Sequence, residues 1–342
     1  MIISTAICAY KLLQCLSSLE SVRCFCGAKE TLQIPNHYRT HRLSVALSLV
    51  ATVFLLSGTL CSPGEAQSVN NEGSFSTLTL ASDGSLLGTT ATGGGTGNGS
   101  VFKATVSGQA TSLYSFNSFQ GFDDNIDGAQ PKCGVIMAAD GSLYGTASTG
   151  GIFGTGTVFK LGMDGVFTVL YSFAAVDMNG GNVDGVEPSG VILADNGTLL
   201  GSTASGGANG TGTVYKVAPD GTFQLLYAFS ANDSQSNADG ANPQAHLVRA
   251  NDGKYYGTAS NSGPSNDGTI FTISTSGSFA VLHTFSNVDG SNPCSEITQG
   301  SDGNFYGKTP NGGGYDATGG GGTTGNGVVY KINVGLTQLV PK

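Results

Sequence analysis

The sequence predicts an all-β protein, a five-bladed β-propeller of four-stranded antiparallel blades, and three observations carry that prediction. The first is repetition. One unit reads Asp140-Gly141-Ser142-Leu143-Tyr144-Gly145-Thr146, a glycine-rich gap, then Gly156-Thr157-Val158-Phe159-Lys160. It continues through Leu170-Tyr171-Ser172-Phe173 to Asp184-Gly185-Val186-Glu187-Pro188. The same order returns from Asp83, Asn196, Asp252 and Asp302, at spacings of 57, 56, 56 and 50 residues. A fixed period in this range marks units that cannot bury an apolar face alone and so pack against their neighbours. The second observation is composition: 54 Gly, no Trp and 11% charged residues suit a turn-rich β protein. The third is the absence of any convincing 3.6-residue apolar period across the repeats.

The elements follow in order within each unit. In the third, strand A is expected at Gly190–Ala194, B at Thr198–Ser202, C at Thr213–Val217 and D at Phe223–Phe229. Asn196-Gly197 separates A from B, and Asp220-Gly221 separates C from D. Asx-Gly pairs suit type I′ hairpins, in which both central residues take positive φ. Four strands in roughly 50 residues match a propeller blade. The five repeats then occupy 75–131, 132–188, 189–243, 244–293 and 294–340. The fifth is thin, with Leu336-Thr337-Gln338-Leu339-Val340 in the place of Leu-Tyr-Ser-Phe, and it must close the ring onto the first. An open β-repeat stack is therefore the alternative architecture. In a four-strand meander the A–B and C–D hairpins point one way. The long B–C and D–A connections point the other, and loops on a rigid scaffold are where binding concentrates.

The front of the chain differs from the repeats. Residues 1–36 form a leader of unlike composition containing Cys8, Cys15, Cys24 and Cys26, read as an upstream start rather than as fold. Residues 37–66 have the order of a signal peptide: Arg39, His41 and Arg42, the apolar run Leu43–Leu56, then Gly64 and Ala66 before the expected cleavage. Residues 67–342 carry 9 Lys plus Arg against 20 Asp plus Glu. That acidic balance, with Arg249 the one arginine, argues against nucleic acid and anionic lipid, because few cations are present to neutralise phosphate. Membrane contact is expected only through an uncleaved N-terminal segment. Of the cysteines, Cys133 and Cys294 remain after cleavage. They sit in repeats two and five and are expected to be separate buried thiols rather than a disulfide.

The ordered segments Asp-Gly-x-Leu-Tyr-Gly-Thr, Gly-Gly, Gly-Thr-Val-Phe-Lys, Leu-Tyr-Ser-Phe and Asp-Gly-x-x-Pro resemble the GloVer (Gloeo_Verruco) tandem-repeat family of bacterial exported proteins. That family is grouped as choice-of-anchor because its members share repeats and differ in sorting signals. The resemblance covers residues 75–340 and implies a propeller-like repeat fold and a secreted or cell-surface location. It supplies no catalytic residues. Pro341-Lys342 follow the last repeat without a hydrophobic tail, so anchoring from that end is not expected.

Two constellations could carry chemistry. The D–A connections hold Asn-x-Asp-Gly four times, at Asn125/Asp127, Asn182/Asp184, Asn237/Asp239 and Asn287/Asp289. The first copy extends to Asp123-Asp124-Asn125-Ile126-Asp127-Gly128, so Asp123, Asn125 and Asp127 are a calcium candidate, since alternate oxygen side chains ahead of a glycine turn collect hard ligands. The competing reading is a turn brace before proline. The second constellation lies on the A strands. Six residues before each hairpin Asx stand Thr77, Gly134, Gly190, His246 and Glu296. Three before it stand Leu80, Met137, Leu193, Arg249 and Gln299. His246, Arg249 and Glu296 thus make a polar patch on the inner strands of blades four and five. Glycoside hydrolysis normally needs two carboxylates, and only Glu296 offers one there. Positions six and three back also have opposite side-chain parity in a strand. Phe102, Phe159, Tyr215, Phe271 and Tyr330 recur once per unit and are expected in the inter-blade core, as are Phe116, Phe173, Phe229 and Phe285. Phe119, Phe122, Phe153 and Tyr315 lie in long loops and are the better candidates for contacts. The function expected is an extracellular binding or structural module, with polysaccharide or a cell-surface protein as partner. No cofactor is expected beyond calcium. The alternative is a secreted glycan-active hydrolase or lyase using the blade four and five patch.

Overall fold

The computed structural model describes residues 77–118, 125–178, 181–232, 236–313 and 326–336, all within the compact unit Ala66–Lys342. Every regular element in them is a strand, and the strands form five antiparallel sheets. Blade one holds β1 (Thr79–Leu80), β2 (Leu86–Thr90), β3 (Ser100–Ala104) and β4 (Ala110–Ser115). Blade two holds β5 (Ile136–Met137), β6 (Leu143–Ala147), β7 (Thr157–Leu161) and β8 (Phe167–Ser172). Blade three holds β9 (Val186–Leu193), β10 (Leu199–Ser205), β11 (Thr213–Val217) and β12 (Phe223–Ala228). Blade four holds β13 (Val248–Arg249), β14 (Tyr255–Ala259), β15 (Thr269–Ile273) and β16 (Phe279–Thr284). Blade five holds β17 (Thr298–Gln299), β18 (Phe305–Thr309) and β19 (Val328–Ile332). Each sheet is a meander in sequence order, so the fold is a five-bladed propeller. The segment proposed as a fourth strand of blade five lies, beyond Leu336, outside the described residues.

The hairpin chemistry differs from expectation. A type I′ turn needs positive φ at both central residues, yet at Asp83-Gly84 only Gly84 has it, at 80°. The Gly84 amide donates to Ala81 O at 2.9 Å and the Ala81 amide to Ser85 O at 2.8 Å. The Asp83 carboxylate accepts the Ser85 amide at 3.0 Å. This is a type I turn followed by a left-handed glycine, the three-residue hairpin, with the aspartate side chain bracing it. The same pattern recurs at Ala138–Ser142, Ala194–Thr198 and Ala250–Lys254.

Packing explains the invariant order of the repeat. Strand C places Val158 and Phe159 fully buried, and the ring of Phe159 lies over Gly145 of β6, its cross-strand partner. A Cβ on Gly145 would stand 2.6 Å from that ring, so the glycine of Leu-Tyr-Gly-Thr makes room for the phenylalanine of Val-Phe-Lys. Apolar clusters then join consecutive blades. Phe116 and Val101 of blade one meet Phe159 and Leu161 of blade two, Phe173 of blade two meets Tyr215 and Val217 of blade three, and Phe229 of blade three meets Phe271 and Ile273 of blade four. The outer D strands add stacked rings across these joints: Tyr114 on Phe167 at 3.9 Å, Tyr171 on Phe223 at 4.3 Å and Tyr227 on Phe279 at 3.8 Å. Fully burying such rings contributes about 1.5–3 kcal/mol apiece.

Strand A is innermost. Gly134 of blade two packs against Thr77 of blade one, and Gly190 of blade three packs against the ring of His246. Cys133 in blade two is pushed up to about 12, first by burial, with the Lys132 charge opposing and the Glu296 charge of blade five adding to it. Cys133 and Cys294 are both free thiols, as expected, but Cys133 is only half-buried and Cys294 is exposed, against the expectation that both would be buried.

Candidate functional site

The Asn-x-Asp-Gly connections form a repeated clamp. Asp184, buried to 1% exposure, accepts the Tyr171 hydroxyl at 2.6 Å and the Ala174 amide at 2.9 Å. Asp127 does the same with Tyr114 at 2.7 Å and Asn117 at 2.9 Å, and Asp239 with Tyr227 at 2.5 Å and Ser230 at 3.0 Å. The tyrosines come from the D strands, whose Leu-Tyr-Ser-Phe motif thus supplies both a stacking ring and a hydroxyl donor. Burial and the neighbouring carboxylate hold all three phenols well above their usual range. The asparagine completes the clamp. Asn182 donates to Ala174 O and Gly185 O and accepts the Gly185 and Gly207 amides, which closes the loop onto itself. Hydrogen bonds to a charged group contribute about 1.5–3 kcal/mol each. In the fourth copy His283 replaces the tyrosine and meets a half-exposed Asp289 at 2.9 Å.

Of the calcium candidate residues, Asp123 lies outside the described residues. Asn125 and Asp127 are buried and belong to the clamp. With its amide nitrogen turned toward them, Asn125 donates to Asp127 Oδ1 at 3.0 Å and Gly128 O at 2.6 Å. Among the described residues no group of three His, Cys, Asp or Glu side chains is placed to hold a metal ion. An ion at this loop would compete with Tyr114 for the Asp127 carboxylate. We expect calcium-loaded and chelated protein to melt at the same temperature; a rise in Tm with calcium would assign the ion.

The residue before each loop proline forms a second repeated joint. Gln130, Glu187, Asn242 and Asn292 have φ of 52°, 57°, 58° and 59°, a left-handed conformation that non-glycine residues avoid and that proline disfavours in its predecessor. The conformation turns the backbone between blades. The amides of these residues donate to Asn98 O, Thr155 O, Thr211 O and Asp267 O in the preceding blades' B–C loops. The carbonyls of Gln130 and Asn242 accept Ser148 and Ser260 of their own blades. Lys132 and Glu187 pair across one such joint at 3.3 Å.

The inner-strand patch is brought together only in part. A shallow depression of about 590 Å³ runs between β13 and β17, lined by residues that include Arg249, Asn251, Glu296 and Gln299. His246 is not in its lining. Its ring packs on Gly190, where an added Cβ would stand 2.4 Å from Nε2, and that buried nitrogen has no hydrogen-bond partner among the described residues. Desolvation pushes the His246 imidazole below its ordinary range. The Arg249 guanidinium makes a two-pronged ion pair with Asp195 on the neighbouring hairpin, one N–H at 2.7 Å. Gln299 likewise reaches back, exchanging hydrogen bonds with Asn251. In blades four and five the position three residues before the hairpin Asx is therefore a strut to the preceding blade. Glu296 is solvent-exposed on one side, and desolvation on the other pushes its carboxyl above the ordinary range.

The opposite end of the ring presents a different surface. In the first three Asn-x-Asp-Gly loops the aspartate is buried and the Asn is buried or half-buried, and the x residue points out, Ile126 at 56% exposure and Val183 at 75%; in the fourth copy Asn287 and Asp289 are exposed along with Val288, at 65%. Ile152 and Phe153 on the B–C loop of blade two, and Met178 on the adjoining D–A loop, extend the apolar surface. Phe153 was singled out by its place in a long loop, while Phe119, Phe122 and Tyr315 lie outside the described residues. The x positions carry a sequence signal: Ile126, Val183, Ala238 and Val288 put an apolar residue between the Asn and Asp of every copy.

Among solved structures, a gluconolactonase from Xanthomonas campestris is 12% identical, with 68% of each chain covered and a TM-score of 0.44. An endo-arabinase from Bacteroides thetaiotaomicron is 16% identical, with 79% of this chain and 97% of that chain covered and a TM-score of 0.41. At those scores neither likeness bears on activity. No curated protein matches. The profile of the Gloeobacter/Verrucomicrobia repeat matches residues 74–320, more than half of the chain. With the segment order of the repeats accounted for blade by blade, the chain belongs to the Gloeobacter/Verrucomicrobia repeat family.

Proposed function

We propose that the protein is an extracytoplasmic binding module that works through the loop end of its propeller. The observation that supports this is the recurrence of an exposed apolar side chain at one loop position, Ile126 and Val183 on clamped loops and Val288 on the fourth. Leaving them in water forgoes roughly 1.5–3 kcal/mol each relative to burial, which a partner seated on that end would recover. The repeated polar groups, by contrast, are used internally as clamps, joints and struts. Export rests on the signal-like order of residues 37–66 and on the family resemblance. The test is sedimentation of the exported chain with washed cell envelopes of the producing bacterium. Ile126→Ser/Val183→Ser is expected to weaken retention at least tenfold with the melting temperature unchanged; undiminished retention would refute the assignment of this face.

The second reading, a glycan-active hydrolase or lyase, is favoured by one observation: Glu296 and Arg249 line the same depression, and Glu296 has a raised carboxyl. Against it, Arg249 is paired with Asp195, and no second carboxylate lines the depression. Glu296→Ala is accordingly expected to leave any polysaccharide hydrolysis intact. Loss of a measured hydrolysis with the fold retained would reverse the ranking of the two readings.

A further inference from the structure

We propose that the loop end over blades four and five is a binding site for a neutral polysaccharide, recognised by a rail of four side-chain amides. This inference rests on the binding-module reading and names its ligand class. The rail runs Asn242, Asn261, Asn292, Asn311. Asn261 Nδ2 donates to Asn242 Oδ1 at 3.0 Å, Asn292 Nδ2 to Asn261 Oδ1 at 3.1 Å, and Asn311 Nδ2 to Asn292 Oδ1 at 3.2 Å. Its inner members are anchored to the scaffold. Asn242 donates to Ala204 O at 2.7 Å and Asn292 to Ser260 O at 3.1 Å, and both are the left-handed joint residues before Pro243 and Pro293. Its outer members, Asn261 and Asn311, are exposed.

An amide has two N–H donors and an oxygen with two lone pairs. The rail uses one donor of Asn261 and one of Asn311, which leaves on the solvent side an N–H from each and the Asn311 oxygen. These groups are held at fixed positions by neighbours that are themselves fixed, so their side-chain entropy is already spent before a ligand arrives. A row of amides offering donor and acceptor side by side matches vicinal hydroxyls, which also donate and accept side by side. Blades two and three have no such row: the corresponding positions are Gln130 with Thr149 and Glu187 with Ser205.

Charge selects among glycans. The rail is uncharged, and the carboxylates near it, Asp267 bonded to Ser291 Oγ at 2.6 Å and the half-exposed Asp289, repel an anionic chain.

The test is affinity electrophoresis of the exported chain in native gels containing amylose, xylan, galactomannan or, as the anionic comparison, alginate. At least one neutral polysaccharide is expected to retard the wild type. Asn261→Ala/Asn311→Ala is expected to weaken that retardation at least tenfold, with Val106→Ser/Val166→Ser, exposed on the C–D hairpins at the other end, staying within twofold. As a readout that needs no variant, an environment-sensitive maleimide on the exposed Cys294, two residues after Asn292, is expected to change emission with the same polysaccharide. Retardation that survives the amide substitutions but is lost with Ile126→Ser/Val183→Ser would overturn the rail while leaving the loop-end reading standing. Retardation by alginate alone, or by none of the four, would overturn the proposal, and envelope sedimentation would still decide the broader reading.

Discussion

Asp184→Ala is expected to destabilise the protein by about 3–5 kcal/mol, the loss of two charge-assisted hydrogen bonds together with two donors left without an acceptor. The Tyr171 hydroxyl and the Ala174 amide both point at one carboxylate oxygen, and the side chain is shut away from water that could replace it. The corresponding fall in Tm is on the order of 10 °C. Asp289→Ala is the internal control. Its clamp uses His283, and the pair is a third to nearly half exposed, so the expected cost is under about 1 kcal/mol. Thermal unfolding of the two variants side by side distinguishes a clamp that holds the ring from an ornamental surface turn. Equal, small losses would show that the buried carboxylates contribute little.

Gly156→Ala is expected to cost about 3 kcal/mol or more, and for a different reason. The backbone there has φ of 110°, and a Cβ would stand 2.4 Å from Pro188 Cδ and 2.7 Å from Ala147 O. Neither neighbour can yield cheaply, since one is a backbone oxygen of the same blade and the other is the proline ring of the next. Left-handed strain and overpacking each cost on the order of 1–3 kcal/mol. Gly154→Ala, at φ 77° with nothing within 4 Å, isolates the conformational part and is expected to cost about 1–2 kcal/mol. If the two substitutions prove equal in a melt, the close approach of blades two and three at Pro188 is not tight.

The blades were legible because a strand has period two and the repeat order recurs, so apolar runs and turn pairs line up five times. The turn type was not, because Asx-Gly suits both a type I′ turn and a type I turn followed by a left-handed glycine, and only hydrogen bonding tells them apart. The clamp was half legible. Asn-x-Asp-Gly reads equally well as a calcium loop or a turn brace, and what it holds, the Tyr171 hydroxyl, lies 13 residues away on another element. The alignment set His246 beside Glu296 and Arg249 beside Gln299; Arg249, Glu296 and Gln299 line one depression, whereas His246, which shares the Glu296 position, turns onto Gly190. The amide rail joins residues 19, 31 and 19 apart, and nothing local in the sequence marks them as a row.

The most direct test of the account is hydrogen exchange of the protein with and without a saturating concentration of the neutral polysaccharide, among amylose, xylan and galactomannan, that retards it. Protection is predicted at the loop end, in 125–128, 150–154, 182–185, 261–267 and 287–292, with β13 and β17 unchanged. Protection confined to Val248–Arg249 and Thr298–Gln299 would contradict it and move the working site to the depression beside Glu296.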